Sequence, residues 1–86
     1  MYTLIREDYD NYSDAPFGNK LVLCVADDLY KIENYCTMNF KMSFYDLECL
    51  RKYNQADDVF DQYNCTCNLI IEIVEYLTWH YQYNSG

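Results

Sequence analysis

The stretch Lys20-Leu-Val-Leu-Cys-Val-Ala26 decides the predicted fold. It is a nearly continuous apolar run of strand length, rich in branched residues, and such a run is typical of a strand buried on both faces. Upstream, the segment from Tyr2 to Arg6 also has the character of a short strand. Residues 8–19 between them gather Asn, Asp, Ser, Pro and Gly, which favour turns. We therefore expect the two runs to pair as neighbouring strands.

The two aspartates that follow this run allow two interpretations. As a hairpin turn, Asp27 and Asp28 would return residues 29–35 as a third strand. As a helix N-cap, the same pair would begin a short helix with Ile32 and Cys36 on one face. The sequence slightly favours the hairpin.

From Ser43 onward the apolar spacing becomes helical. Ser43, with Asp46 three residues later, resembles a capping box and predicts a helix start. A second group follows the i, i+3, i+4, i+7 rule of a packed helix: Ala56, Val59, Phe60 and Tyr63. A last helix is predicted over residues 68–83, with this apolar stripe: Ile70, Ile73, Val74, Leu77 and Tyr81. The predicted fold class is α+β in a single compact domain, residues 1–86, with a small antiparallel sheet from the N-terminal half followed by two or three C-terminal helices.

The charge balance limits the kinds of partner. Fourteen Asp and Glu stand against six Lys and Arg, for a net charge of −8. Nucleic acids and anionic membranes need a positively charged protein surface, so direct binding to either is not expected. The sign of the charge instead predicts a protein partner with a basic surface.

The sequence contains no pattern typical of a catalytic or cofactor site. Two glycines cannot build a phosphate-binding loop. A thiol nucleophile at Cys65 or Cys67 would need His80 as its base, and no nucleophile signature surrounds either cysteine. A zinc site drawn from Cys49, Cys65, Cys67 and His80 is a second alternative, but Cys-x-Cys is tighter than the common zinc knuckle. We therefore expect no enzymatic activity, no cofactor and no metal.

The N-terminus carries charge from Arg6 onward and lacks an apolar stretch of signal-peptide length. The longest apolar cluster, Leu69 to Tyr76, is interrupted by two glutamates and cannot cross a membrane. The five cysteines are an odd number, for which reduced thiols are the default. These features together predict a cytoplasmic protein.

Two groups of residues are the predicted partner-binding surface. Asp57, Asp58 and Asp61 are expected on the outward side of a helical turn. The second group is expected on one side of the last helix and combines acidic with aromatic side chains: Glu72, Glu75, Tyr76, Trp79 and Tyr83. Aromatic residues are enriched in binding surfaces, because they combine a large apolar face with few rotors.

Two functions from different classes fit this sequence. The first is a small acidic inhibitor that blocks a basic, nucleic-acid-binding target such as a nuclease, in the manner of anti-CRISPR and anti-restriction proteins of phages and plasmids, with carboxylates in place of phosphates. The second is a structural or regulatory interaction domain, such as a virion component, an antitoxin or an oligomerisation module, whose acidity serves solubility.

Overall fold

A computed structural model of the chain describes residues 1–9 and 16–74. These residues form, in chain order, β1 (Tyr2–Tyr9), β2 (Pro16–Ala26), α1 (Leu29–Asn39), β3 (Phe40–Lys41), α2 (Phe44–Tyr53), β4 (Gln55–Asp61) and β5 (Thr66–Ile73). The strands make one sheet in the order β2-β1-β5-β4-β3, and every neighbouring pair is antiparallel. α1 packs mainly on β2 and β1, and α2 packs mainly on β4.

The fold class predicted from the sequence is wrong. Residues 55–61 and 66–73 are strands, and the two helices lie in the middle of the described chain rather than at its C-terminal end. The predicted pairing of the first two strands is confirmed, with Leu4 opposite Cys24. The predicted burial of the second strand on both faces is wrong, because β2 is the outermost strand next to β1 and its Leu21, Val22 and Val25 are exposed.

The segment after β2 is a helix, so the hairpin interpretation is wrong. The Asp28 carboxylate accepts a hydrogen bond from the backbone N–H of Tyr30 at 2.9 Å, which satisfies a donor that the first helical turn leaves unpaired. Ile32 and Cys36, one turn apart, are the buried residues of α1. The same two side chains define the helical face that the N-cap alternative specifies.

The predicted helix start at Ser43 is confirmed. The Ser43 hydroxyl accepts from the Asp46 N–H at 3.1 Å, and the Asp46 carboxylate accepts from the Ser43 N–H at 3.0 Å. At the other end, Asn54 takes the left-handed conformation with φ 57° and donates its N–H to the Leu50 carbonyl. This cap ends α2 and sends the chain directly into β4.

The core lies between the helices and one face of the sheet. Its fully buried aliphatic side chains come from both helices and from three strands: Leu4, Ile32, Leu50, Val59 and Leu69. Each contributes about 1.5–3 kcal/mol of hydrophobic stabilisation when removed from water. Among the described residues, no helix has the length and apolar character needed to cross a membrane.

The predicted helix over residues 68–83 is also wrong for the part that the structure describes. Residues 66–73 form β5, in which Cys67, Leu69 and Ile71 alternate toward the core. Val74 follows the strand, and its N–H donates to the Met1 carbonyl. Residues 75–83 lie outside the described residues.

Candidate functional site

An acidic and aromatic groove lies between α2 and the start of β4. Its volume is about 520 Å³, within the range of small-ligand and side-chain binding pockets. Four of its lining residues come from α2 and three from β4: Tyr45, Asp46, Cys49, Tyr53, Gln55, Asp57 and Asp58. We call this set the acidic groove.

The helical side of the acidic groove follows from helix periodicity. Tyr45, Cys49 and Tyr53 are spaced four residues apart and therefore share one face of α2. The two tyrosine side chains are 73% and 72% exposed, so their rings are available for contact. The hydroxyl of Tyr45 interacts with Cys49, and this hydrogen bond raises the pKa of Tyr45.

The strand side of the acidic groove is formed by a β-bulge. The register of β4 on β5 shifts between Ala56 and Val59, both of which point into the core. The two residues between them, Asp57 and Asp58, are exposed, and Asp58 has φ 55°. Its N–H donates to the Asn68 side chain at 3.3 Å. A bulge redirects side chains in this way, and here it places two adjacent carboxylates beside α2.

No lysine or arginine forms an ion pair with a carboxylate of the acidic groove. The chain has six Lys and Arg residues, all within the described part. Five of them form ion pairs with carboxylates elsewhere, and the sixth donates to an asparagine: Arg6, Lys20, Lys31, Arg51 and Lys52 with carboxylates, Lys41 with Asn64. Asp46, Asp57 and Asp58 therefore keep three negative charges uncompensated. Uncompensated charge of one sign in a concave surface concentrates the field for a positively charged partner.

Hydrogen bonds orient two of these three carboxylates. Asp46 accepts from the Ser43 N–H, as part of the helix cap. Asp57 accepts from the Gln55 side-chain amide at 2.8 Å. Each still has acceptor capacity, because a carboxylate offers about four lone-pair positions.

Asp61 is not on the surface, and the predicted outward position is wrong. It is only 7% exposed. Its carboxylate accepts from the N–H groups of Tyr63 and Cys65 at 2.8 and 2.9 Å and from the Arg6 guanidinium at 3.1 Å. These bonds, with the Cys65 N–H as the largest cause, lower the pKa of Asp61. Asp61 closes the turn between β4 and β5, and it does not line the acidic groove.

Of the other predicted contact residues, the structure describes only Glu72, which does not line the acidic groove. Glu72 is exposed on β5 opposite Thr3 of β1, away from the lining residues. The remaining four lie outside the described residues, and their role in partner binding stays a prediction: Glu75, Tyr76, Trp79 and Tyr83.

The sequence reasoning missed the helical half of the acidic groove. Tyr45, Cys49 and Tyr53 recur every four residues in a helix whose start the sequence predicts correctly. The missing element was the strand that places Asp57 and Asp58 alongside that pattern. Two halves of one site cannot be joined from sequence when one half is assigned to the wrong secondary structure.

Two of the thiols are buried among the described residues. Burial raises the pKa of Cys36 to about 12 and that of Cys67 to about 11, so both remain protonated at neutral pH. Cys65 is exposed, although it is only two residues from the buried Cys67. Within residues 1–9 and 16–74, no three His, Cys, Asp or Glu side chains are grouped so that they could hold a metal ion.

Comparison of the chain with protein-family models, with curated proteins and with solved structures finds no match. The residues of the acidic groove are therefore the basis on which a function can be inferred.

Proposed function

We propose that this protein is a non-enzymatic binding protein whose acidic groove receives a basic segment of a nucleic-acid-binding partner. The observation that carries the proposal is the set of three unpaired carboxylates beside two exposed tyrosine rings, in a protein whose lysines and arginines are all engaged elsewhere.

The chemistry of the acidic groove suits an arginine side chain in particular. A guanidinium has five N–H donors in a planar fork, which match carboxylate oxygens, and its face stacks on aromatic rings. Asp57 and Asp58 supply the acceptors, and Tyr45 and Tyr53 supply the rings. Lysine can make the charge contact but not the planar one.

A basic segment with these properties is common on proteins that bind DNA or RNA, because such proteins neutralise phosphates with Lys and Arg. Occupation of those side chains by the acidic groove would prevent their contact with nucleic acid. The proposed biological role is therefore inhibition of a nuclease or another nucleic-acid-binding protein, as in anti-CRISPR and anti-restriction proteins. We place the protein in the cytosol, where its thiols would stay reduced.

The test is binding of a fluorescent arginine-rich peptide, measured by anisotropy, together with NMR mapping of the perturbed amides. We expect perturbations centred on α2 and the bulge of β4, and affinity that falls steeply between about 50 mM and about 500 mM NaCl, because exposed charge pairs are screened by salt. Perturbations confined to other surfaces would contradict the proposal.

The matched variants are Asp58→Asn and Glu48→Gln. Both remove one exposed carboxylate and reduce the net negative charge equally. Asparagine also tolerates the left-handed conformation at position 58. Asp58→Asn should lower the affinity for the peptide by about fivefold, since an exposed charge pair contributes roughly 1 kcal/mol. Glu48→Gln, outside the groove and already paired with Lys52, should have little effect. Equal losses in both variants would mean that only net charge matters.

The alternative function, an interaction domain that uses apolar contacts, depends on Tyr76, Trp79 and Tyr83, which lie outside the described residues. It predicts affinity that barely responds to salt. Measurement of the affinity for the natural partner over the same salt series separates the two functions.

A further inference from the structure

Among the described residues, one edge of the sheet is long and apolar and has no neighbouring strand. β2 has 11 residues and is the outermost strand next to β1, whereas the opposite edge, β3, has only two residues. Val22 and Val25 on β2 are 57% and 45% exposed. An edge strand presents a row of free backbone N–H and C=O groups, and proteins usually protect it with charges, prolines or a short length.

The protection of this edge is uneven along its length. Pro16 and Lys20 occupy its first half, where they discourage pairing with another chain. The segment Leu21 to Ala26 contains neither proline nor charge. A bulge in this segment puts Val22 opposite Ile5 and Val25 opposite Thr3, so both valines lie on the same face of the sheet.

The edge strand contains no acidic residue. β2 carries a single charge, the positive Lys20, in a protein of net charge −8. Two copies of this protein repel one another in most orientations. A contact through β2 brings no carboxylates of that strand together.

We infer that β2 pairs antiparallel with β2 of a second copy of this chain, which extends the sheet across a two-fold axis. The axis passes through the middle of the uncharged segment, between Leu23 and Cys24. In that register, Val22 of each copy lies beside Val25 of the other.

The charges at the two ends of the segment favour this partner. Lys20 and Asp27 flank the uncharged segment on opposite sides. Each has a partner within its own copy, Glu7 at 4.0 Å and Lys31 at 2.8 Å, and their side chains remain 52% and 73% exposed to a second copy. The two-fold axis brings Lys20 of each copy next to Asp27 of the other, so that the contact forms twice. Within one copy the two residues lie at opposite ends of the segment, roughly 20 Å apart at strand spacing, and cannot pair. An antiparallel second copy is therefore complementary to this edge at both ends.

The test is sedimentation velocity of the full chain from about 5 µM to about 500 µM, with a reducing agent to exclude disulfide dimers. We expect a concentration-dependent dimer that strengthens with added salt, because salt screens the repulsion between two acidic copies. A chain that stays monomeric over this range would overturn the inference.

Val22→Lys is the blocking variant, and Tyr63→Lys is its control. Both replace an exposed apolar side chain by lysine, but Tyr63 lies in the turn between β4 and β5. Val22→Lys should weaken the dimer by about tenfold or more, because each introduced lysine then lies beside Val25 of the other copy, where its charge loses water and the apolar contact is lost. Tyr63→Lys should leave it unchanged, and circular dichroism checks that both variants are folded. Loss of the dimer in the control alone would place the interface elsewhere.

A charge exchange tests the register. Asp27→Lys reduces the net negative charge, so repulsion alone predicts a stronger dimer, whereas the proposed contact predicts a weaker one because two lysines meet. Lys20→Asp should also weaken the dimer, and the double variant should restore it. A stronger dimer with Asp27→Lys alone would refute the register.

This inference is independent of the proposed function. The edge and the acidic groove are formed by different elements, and the two interactions respond to salt in opposite directions. Val22→Lys should leave peptide binding intact, and Asp58→Asn should leave the dimer intact, so that failure of one does not decide the other.

Discussion

Replacement of Asp58 by glycine should remove one carboxylate from the acidic groove without a loss of stability at the bulge. Asp58 has φ 55°, in the left-handed region that costs an L-residue about 1–2 kcal/mol, with aspartate at the lower end. Glycine removes that cost but adds about 0.5–1 kcal/mol of conformational entropy to the unfolded chain. The two effects nearly cancel, so Asp58→Gly should leave the free energy of unfolding almost unchanged.

Asp57→Gly is the matched comparison, since it removes a carboxylate from the neighbouring position. Asp57 is not among the residues with positive φ, so glycine brings only the entropic loss there. Asp57→Gly should therefore be about 1 kcal/mol less stable than Asp58→Gly. Urea denaturation followed by circular dichroism measures the difference. If Asp58→Gly loses as much stability as Asp57→Gly, the strain assigned to the bulge is absent.

Three further predictions concern the core, the helix cap and the buried carboxylate. Leu50→Ala should lower the free energy of unfolding by about 2–5 kcal/mol, because Leu50 is fully buried, and a loss under about 1 kcal/mol in urea denaturation would contradict the core described above. Ser43→Ala should cost about 1 kcal/mol and speed hydrogen exchange at the Asp46 amide, an effect that NMR detects at one site. The lowered pKa of Asp61 stabilises the fold above the ordinary value of 3.8, and this stabilisation is lost as the pH falls through the folded-state pKa. The urea midpoints of the wild type and Asp61→Asn should therefore converge below about pH 4, and a gap that persists in acid would show that ionisation of Asp61 is not what stabilises the turn.

The local features that the sequence predicts correctly have short-range causes. The capping box at Ser43 depends on residues three apart, and the strand character of the run from Leu21 to Ala26 follows from its own composition, although its burial does not. The turn-forming residues between the first two runs correctly predict their pairing. Each of these features is decided within about ten residues.

The bulge in β4 explains why that strand was predicted as a helix. A regular strand places every second residue in the core, but the bulge leaves two exposed residues between Ala56 and Val59. The resulting spacing of three matches the helical i, i+3 pattern. Periodicity alone cannot distinguish the two structures here.

The apolar residues of β5 presented a different ambiguity. Leu69, Ile70 and Ile71 are consecutive, so a helical stripe and a strand with apolar residues on both faces both fit. Branched side chains favour the strand, and that preference was outweighed by the longer predicted stripe. Because the sequence does not predict β5, it predicts neither the position of the sheet relative to α2 nor the acidic groove.

The order of the strands affects how the protein can be made. β1 lies between β2 and β5, and Leu4 is opposite Ile71, so strands from opposite ends of the described chain are neighbours inside the sheet. A ribosome adds roughly 5–20 residues per second, and β5 must also clear the exit tunnel before it can pair. For several seconds the edge of β1 that faces β5 in the finished sheet therefore has no strand to pair with. Newly made chains should depend on chaperones during that interval, and any product that stops before β5 should be degraded or aggregate rather than persist as a partial domain.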